Sequence, residues 1–368
     1  MMLRMQGALL IWKILYTTGI RQDTYYSGPS WNRYFNPDLT WEVGEKINLG
    51  LDLQLFNDFN LTFDIFREKR RDIFMTRENS IPEIVGTGET KITSNNGEME
   101  NKGLDLAIDY NKQITKDFFL SFKSTLTFAR NKVLKMDEPP YFEYPGLSDV
   151  GHPLGTYWGY VADGLFPDQE TIDNSPRQDL GYTPQPGDIK YVNQPNAKGE
   201  YDNVINSNDR VAIGHPYDPE LVYGFGPSMK WKNWDFSFFF QGVARTSFMM
   251  YGMHPIGTTS IKNMLQFVAD DHWSVDNPNP NAAYPRLTKD SNGNNDQYST
   301  YWLRNAAFLK LKNAEIGYTY KGMRFYLSGV NLLTFSPFKH WDPEMGGGNG
   351  LYYPTQRVFN IGFQMTIQ

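Results

Sequence analysis

The sequence predicts an all-β protein, an antiparallel transmembrane β-barrel with long loops at one end. Three observations support this fold class. Apolar and polar residues alternate with period two in many segments, and those segments are separated by either tight turns or very long loops. Aromatic residues make up 15% of the 368 residues. Side chains of a strand point alternately to opposite faces of a sheet, so the alternating segments are predicted strands.

The predicted strands carry apolar residues on one face and polar residues on the other. The apolar rows are Leu49–Leu55, Leu61–Ile65, Leu104–Tyr110, Phe118–Phe128, Trp234–Phe240 and Phe359–Ile367, each taken at every second position apart from single interruptions. Several segments run for about ten residues, the length that crosses a bilayer at a tilt. A soluble sandwich shows the same alternation with its apolar face in a core, so the pattern favours the barrel without excluding the sandwich.

The composition agrees with a membrane barrel. The chain holds 23 Tyr, 25 Phe and 9 Trp, and girdles of these residues mark the two membrane interfaces of such barrels. No run of about 18 uncharged apolar residues predicts a membrane helix. Barrel strands escape a hydropathy search because half of their residues face a polar lumen.

Charge and residue types exclude several classes of function. The net charge is −6, which argues against a nucleic-acid partner because phosphate binding needs a basic surface. The chain has no cysteine, so disulfides and thiolate sites are excluded. The histidines lack metal-ligand spacing, and no enzyme is predicted. A basic cluster, Arg67, Lys69, Arg70 and Arg71, interrupts a predicted strand and is interpreted as a solvated strand end.

The connections between predicted strands fall into two kinds. Asn57–Asn60 and Lys232–Asn233 read as tight turns. By contrast, residues from about 135 to 220 and from about 246 to 300 form long stretches rich in Pro, Gly, Asp and Tyr. Loops of this length usually carry function. Short turns at one end and long loops at the other are typical of outer-membrane barrels.

Seven motifs occur in order from about residue 36 to the C terminus. They are Asn36–Glu42 with Gly50–Asp52, Gly159–Phe166, Gly187–Tyr191 with Asn208–Gly214, Trp273–Leu287, Phe308–Tyr318, Ser328–Thr334 with Trp341–Glu344, and Tyr353–Arg357. Together they resemble the SusC/RagA family of TonB-dependent outer-membrane receptors. The chain is accordingly identified as a C-terminal portion of such a receptor, with residues 1–35 as a truncated strand and loop lead-in and residues 36–368 as the barrel part.

The resemblance implies a barrel of about 22 strands, of which this chain would supply about ten, with the plug domain absent. It implies TonB-dependent import of oligosaccharides or peptides across the outer membrane of a Gram-negative, Bacteroidetes-type bacterium. A SusD-like lipoprotein and outer-membrane lipid are the implied partners. The TonB complex would act only through the missing N-terminal part, so the fragment is not expected to transport alone.

Two other classes of function remain open from the residues themselves. A soluble β-rich glycan-binding module would be monodisperse without detergent. A β-rich hydrolase would show turnover that is lost when one carboxylate is replaced. The transport component is the leading interpretation because the motif order supports it.

A loop cation site is a further expectation. Many members of the family carry an acidic, EF-hand-like run after the position of Tyr191. Calcium takes oxygen ligands at alternating positions, usually with a glycine at the sharp turn. The candidate ligands of a Ca²⁺ ion are Asp188, Asn193, Asn196, Asp202 and Asp209. A proline and a lysine interrupt this run, so an ordinary Asx-rich turn is the alternative.

Aromatic residues of the long loops are the candidate ligand contacts. Aromatic faces stack on sugar rings, while loop amides and carboxylates fix the orientation of a ligand. The candidates are Tyr141, Tyr144, Trp158, Tyr160, Trp273, Tyr301 and Trp302. The alternative is that these rings pack against each other within the loops or contact the lipoprotein.

Overall fold

The computed structural model describes residues 10–16, 25–31, 34–77, 79, 81, 84, 92–251, 256–257, 260–261, 265–288 and 292–365. Its strands are β1 Leu10–Tyr16, β2 Tyr25–Trp31, β3 Val43–Leu55, β4 Phe59–Thr76, β5 Thr93–Thr115, β6 Phe118–Lys135, β7 Tyr157–Gly159, β8 Ala162–Leu165, β9 Arg177–Gln178, β10 Ile189–Tyr191, β11 Val204–Ile205, β12 Val211–Ile213, β13 Leu221–Trp231, β14 Trp234–Ala244, β15 Ser247–Met249, β16 Ile256–Gly257, β17 Ser260–Ile261, β18 Leu303–Asn305, β19 Phe308–Tyr320, β20 Met323–Phe335 and β21 Val358–Met365. The helices are α1 Gln169–Asp173 and α2 Gln266–Asp270. Within the described part of the chain, neither helix has the length and apolar character needed to cross a membrane.

Nine strands form one antiparallel sheet in the order β21-β20-β19-β14-β13-β6-β5-β4-β3. The predicted all-β, antiparallel fold class is therefore confirmed, and nine strands agree with the expected number of about ten. Within the described residues β3 and β21 each pair on one side only, so the sheet is open and has two edges. β1 and β2 form a separate hairpin within the predicted lead-in, residues 1–35.

The register keeps apolar residues on one face across the whole sheet. Leu51 pairs with Phe63, which pairs with Leu106, and the row continues through Leu126 and Tyr223. On the same face at the other edge, the row is Phe236, Ile316, Leu327 and Ile361. None of these side chains is buried, and Ile361 is 87% exposed. A wide, bare apolar face is the surface that a membrane barrel turns toward lipid.

The opposite face of the sheet carries hydroxyls, amides and charges. Thr62 Oγ1 donates to Asp52 Oδ1 at 2.7 Å, and Thr127 Oγ1 donates to Asp105 Oδ1 at 2.6 Å. Near the other edge, Arg324 Nε donates to Asp235 Oδ2 at 3.0 Å. Polar side chains that bond to each other across the strands of one face fit the wet interior of a barrel.

Short turns join the sheet strands at one end only. The turns are 56–58, 116–117, 232–233 and 321–322, and they include left-handed residues such as Lys232 at φ 53° and Gly322 at φ 82°. The turn predicted at Asn57–Asn60 lies slightly earlier, because Phe59 and Asn60 already belong to β4. All longer connections leave from the opposite end of the sheet. The predicted asymmetry between tight turns and long loops is confirmed.

Aromatic side chains collect on the apolar face near the short turns. Trp231 pairs with Trp234, whose ring centroid lies 4.8 Å from that of Tyr318. Farther along, the ring centroids of Phe325 and Phe363 are 5.0 Å apart. This row has the position and composition of one interfacial girdle of a membrane barrel.

The basic cluster lies within β4, just beyond the apolar row Leu61–Ile65 and before the last five residues of the strand. The Arg67 guanidinium reaches Glu100 at 2.5 Å, and Lys69 reaches Glu98 at 3.1 Å. Arg71 contacts a third carboxylate, Glu45, at 3.2 Å. The strand continues to Thr76, so the interpretation of the cluster as a strand end is wrong, whereas its solvation agrees with the exposed side chains of Arg67, Lys69 and Arg71.

Candidate functional site

Three long connections fold together beyond the end of the sheet. We call them the first loop (residues 136–220), the second loop (residues 245–307) and the third loop (residues 336–357), and together the loop layer. Their described residues share one apolar core. Its buried members are Tyr160, Leu165, Ile189, Tyr191, Ile205, Ile213, Phe248, Met249, Met250, Val268, Trp273, Ala282, Tyr284, Trp302, Ala306 and Phe338. The packed core of the chain is thus in its loops, while the apolar face of the sheet stays bare.

Backbone hydrogen bonds tie the three loops to each other. Tyr160 N donates to Tyr298 O at 2.9 Å, and Thr300 N donates back to Tyr160 O at 2.9 Å. Between the second and third loops, Gly348 N donates to Met249 O at 2.8 Å. The loop layer is therefore one connected unit, which suits a surface that must hold a ligand in a defined geometry.

Asp188 is the main polar junction of the loop layer. Its fully buried carboxylate accepts from Arg286 Nε at 2.7 Å, Asn292 Nδ2 at 3.0 Å and Asn295 Nδ2 at 2.9 Å. The backbone N–H of Gln185 donates to its other oxygen at 2.8 Å. A buried charge is tolerated when it is paired and its lone pairs are filled in this way. Asp188 thus holds the second loop against the first.

The other predicted calcium ligands also have protein partners. Asp209 accepts from the backbone N–H groups of Gln194 and Asn206, each at 2.7 Å. Burial raises the pKa of Asp209 above its usual value, although these hydrogen bonds oppose the shift. Asn196 accepts from two backbone N–H groups and Asp202 from one, which are Asx-turn contacts.

The donor set fits a divalent cation poorly. Asn193 is buried, and neither atom of its amide has a hydrogen-bond partner among the described residues. Both carboxylate oxygens of Asp188 and of Asp209 already accept hydrogen bonds, whereas calcium takes roughly six to eight oxygen ligands. Within the described ranges, no group of three or more His, Cys, Asp or Glu side chains is arranged to hold a metal. The calcium site stays a prediction, and the carboxylates proposed for it serve loop structure here.

Four of the predicted ligand contacts lie in the loop core or at its margin. Tyr160, Trp273 and Trp302 are buried, and Trp302 Nε1 donates to Asn295 O at 2.7 Å. Tyr301 donates its hydroxyl to Ala282 O at 2.9 Å, and burial raises the pKa of Tyr301. Packing within the loops accounts for these rings. Their contact with a ligand stays a prediction.

The remaining three predicted contacts lie in the first loop and are partly exposed. Trp158 Nε1 donates to Asp149 Oδ1 at 2.6 Å, and its ring meets His152 edge to face with centroids 5.1 Å apart. Tyr141 and Tyr144 stand near the start of the loop, where Tyr144 precedes a 3-10 turn. They retain exposed surface that a ligand could contact.

The loop layer contains two open clefts that sequence reasoning did not identify. The first, of about 590 Å³, lies beside the Asp188 junction and includes Tyr284, Arg286 and Trp302 in its lining. The second, of about 520 Å³, is lined by Tyr157, Tyr217, Met249, Tyr251, Tyr298, Met345, Gly346, Gly347 and Tyr352. Both volumes include space that is open to solvent. The walls of the two clefts come from segments far apart in sequence, so no local motif could have revealed them.

A buried lysine anchors the third loop to the sheet. Lys310, in β19, is fully buried and lies 2.6 Å from the Asp342 carboxylate and 2.5 Å from Glu344. Lys312 reaches the same Glu344 at 2.8 Å. Burial alone would raise the pKa of Glu344, but hydrogen bonds from the two lysines outweigh it and hold the pKa below its usual value. This junction fixes one wall of the second cleft.

A sheet with one bare apolar face, one polar face and a folded loop layer over one end is the architecture of an outer-membrane β-barrel receptor. Residues 13–332 match the family described as TonB dependent receptor-like, beta-barrel, and the chain belongs to this family. The resemblance read from the motifs is confirmed. The family consists of outer-membrane receptors and transporters rather than enzymes, in agreement with the sequence prediction.

Curated relatives carry the same family name. The chain is 27% identical over 369 residues to TonB-dependent receptor SusC of Bacteroides thetaiotaomicron, covering 93% of this chain and 34% of that protein. It is 28% identical over 384 residues to TonB-dependent receptor P26 of Formosa agariphila, covering 95% of this chain and 36% of that protein. The chain therefore spans about a third of the length of the curated relatives it matches.

Solved structures show the same fold. A structure of the RagAB peptide transporter superposes with a TM-score of 0.71 at 22% identity, covering 98% of this chain and 38% of the other. The open-open state of the RagAB peptide importer gives a TM-score of 0.72 at 20% identity. At this identity the likeness concerns the fold alone, and it extends over both the sheet and the loop layer.

Proposed function

We propose that this chain forms part of a TonB-dependent importer of oligosaccharides or peptides in the outer membrane of a Bacteroidetes-type bacterium. The observation that carries the proposal is the family match over residues 13–332. A SusD-like lipoprotein is the proposed partner. Support for the partner and for the substrate class comes from the relatives named SusC and RagAB.

In this proposal the sheet and the loop layer have different roles. The sheet supplies a section of barrel wall, with lipid against the leucine and phenylalanine rows and water against the Asp, Thr and Arg side chains. The loop layer supplies the surface that a nutrient meets first.

Membership of this family argues against the two alternative interpretations of the chain, a soluble glycan-binding module and a hydrolase. Both interpretations require the apolar rows to face a closed protein interior. The register instead places those rows on a single bare face, and Leu327 on that face is 54% exposed. Detergent dependence is the property that separates the transporter from the module.

Cell fractionation and uptake assays test the proposal together. Cells lacking the gene are compared with complemented cells for uptake of labelled oligosaccharides and peptides, with and without a protonophore that removes the energy supply to TonB. We expect the chain in the outer-membrane fraction, soluble only with detergent, and energy-dependent uptake that is lost on deletion. A detergent-free, monomeric chain, or unchanged uptake of every probe, would refute the proposal.

Affinity purification tests the proposed partner. A tagged chain is isolated from detergent-solubilised outer membranes of cells labelled with a radioactive fatty acid. We expect a labelled lipoprotein to copurify in a stoichiometric amount. Recovery of the receptor with no lipoprotein, under conditions that preserve uptake in intact cells, would contradict the partnership.

A further inference from the structure

Tyrosines make up five of the nine lining residues of one cleft of the loop layer. We call it the tyrosine cleft. Its aromatic residues are Tyr157, Tyr217, Tyr251, Tyr298 and Tyr352, and the rest of its lining is Met249, Met345, Gly346 and Gly347. No charged side chain belongs to this lining. All three loops contribute to it, so the cleft exists only when the loop layer is folded.

The cleft tyrosines differ from the tyrosines of the loop core in their exposure. Tyr217 is 57% exposed and Tyr352 is 54% exposed, whereas Tyr160 and Tyr191 in the core are almost fully buried. Four half-exposed rings gathered around one concavity form a concentrated aromatic patch, and such patches mark binding surfaces more often than scattered exposed rings do.

The glycine wall of the cleft is held rigidly. A Cβ on Gly347 would overlap the carbonyl oxygen of Met249, so only glycine allows this close approach. Tyr251 N donates to Gly348 O at 3.1 Å, and Trp341 Nε1 donates to Gly346 O at 2.9 Å. A wall fixed before the ligand arrives reduces the ordering cost of binding.

The hydroxyls of Tyr157 and Tyr251 in the cleft remain protonated and uncharged at neutral pH. Burial raises the pKa of Tyr157 to about 12, and the nearby Tyr217 and Tyr298 add to the shift. A hydrogen bond with Tyr352 raises the pKa of Tyr251 as well. The cleft therefore offers neutral O–H groups that both donate and accept hydrogen bonds.

We propose that the tyrosine cleft is a binding subsite for a sugar ring of an uncharged oligosaccharide. A pyranose presents an apolar C–H face that packs on an aromatic ring and a rim of hydroxyls that pairs with phenolic O–H groups. An anionic glycan would lose hydration at its carboxylate and find no cationic side chain in the lining. This inference rests on the proposed function, because it selects the oligosaccharide class for the imported substrate.

Binding to variant receptors tests the subsite. The receptor is purified in detergent from outer membranes with the proteins that accompany it, and affinity is measured by titration calorimetry. The uncharged probes are maltoheptaose, a β-1,3-glucohexaose and a β-1,4-mannohexaose. Trigalacturonate serves as the anionic probe and an uncharged hexapeptide as the peptide probe. The substitutions are Tyr217→Ala and Tyr352→Ala, together with Tyr352→Phe.

Tyr201→Ala is the matched control, because Tyr201 is a 61% exposed loop tyrosine outside the cleft lining. We expect at least one uncharged probe to bind. Each cleft alanine should weaken its binding by about tenfold, the scale of one lost aromatic contact. Tyr352→Phe keeps the ring and should weaken binding by only about two- to threefold. The control should leave the affinity unchanged.

The outcomes separate this inference from the proposed function. Binding of an uncharged glycan that neither cleft alanine weakens would refute the subsite and leave the importer proposal intact. Preferred binding of trigalacturonate, or of the hexapeptide with the same loss in the alanine variants, would overturn the assignment to uncharged sugars. Absence of binding by all probes, together with unchanged uptake in cells lacking the gene, would refute both.

Discussion

Replacing Lys310 with Met removes a fully buried ammonium group that joins β19 to the third loop. Lys310 lies between Asp342 at 2.6 Å and Glu344 at 2.5 Å. Breaking a buried ion pair by removing one partner costs about 3–5 kcal/mol when the other charge stays buried. Here both carboxylates keep some solvent exposure, and Lys312 still reaches Glu344 at 2.8 Å. We therefore expect a smaller loss, of about 2–3 kcal/mol, confined to opening of the third loop.

Amide hydrogen exchange measures this local opening. Gly346 N and Gly348 N donate to Pro343 O and Met249 O, so their exchange reports on the third loop. A loss of about 2–3 kcal/mol corresponds to exchange about 30- to 150-fold faster. Amides of the sheet strands should not change. The reasoning is refuted if the Lys310→Met variant protects these amides as well as the unaltered chain does.

Lys312→Met is the matched control for this change. Lys312 is partly exposed, and Glu344 would keep its contact with Lys310. The expected loss is below about 1 kcal/mol, as for other partly exposed pairs. Equal acceleration of exchange in the two variants would show that burial of Lys310 does not set the energy of the junction.

The same junction predicts a pH dependence. The folded-state pKa of Glu344 is lowered from 4.5, so its contribution to loop stability is fully present above that value and is lost as the pH falls through the lower folded-state pKa. Protection of the third loop, corrected for intrinsic exchange rates, should decrease below pH 4.5 in the unaltered chain. The Lys310→Met variant should show a weaker decrease. An equally steep decrease in both would contradict this account.

Three further substitutions test other parts of the structure. Asp188→Ala leaves the partly buried guanidinium of Arg286 without its carboxylate partner. We expect a local destabilisation of about 3 kcal/mol, measured as faster proteolysis within the loop layer. If the variant resists the protease as well as the unaltered chain does, the role given to Asp188 is contradicted. Leu51→Arg places a charge on the lipid-facing row and should cost about 2–4 kcal/mol if it lies near the bilayer midplane, measured by refolding into lipid vesicles. Thr125→Arg places the charge on the polar face and should reduce the free energy of unfolding much less than Leu51→Arg does. Equal losses in the two variants would contradict the assignment of the lipid-facing and polar faces. Gly347→Ala should separate the second and third loops and weaken glycan binding, so an unaltered affinity would remove the glycine wall from the subsite.

The strands and their faces were predictable because period-two alternation is a local property of the chain. Leu49–Leu55 places its leucines on one face whatever the strand pairs with, since neighbouring side chains of a strand point in opposite directions. Strand pairing in the structure adds the alignment of these apolar rows with each other, as in the pairing of Leu51 with Phe63. The motif order extended this local reading to a family, and the family match confirmed it.

Whether a given loop residue is buried in the loop core or exposed to a ligand was not predictable from local sequence. Trp273 and Trp302 are aromatic residues in long loops, and from sequence they were equally suited to a ligand or to a core. The structure places both in the shared core. Asp188 was a candidate calcium ligand, yet its partners Asn292 and Asn295 lie about a hundred residues away. Contacts between residues so far apart in the chain produce no periodic pattern that could be recognised in a single sequence.

The sequence alone determined a β-sheet with one apolar and one polar face, tight turns at one end and long loops at the other, because alternation and turn chemistry act between near neighbours. Only the tertiary structure decided that the loops share one core, that Lys310 anchors the third loop, and that Tyr217 and Tyr352 face the same cleft. The physical reason is that these arrangements depend on which distant segments bury each other, and that is set by packing of the whole loop layer.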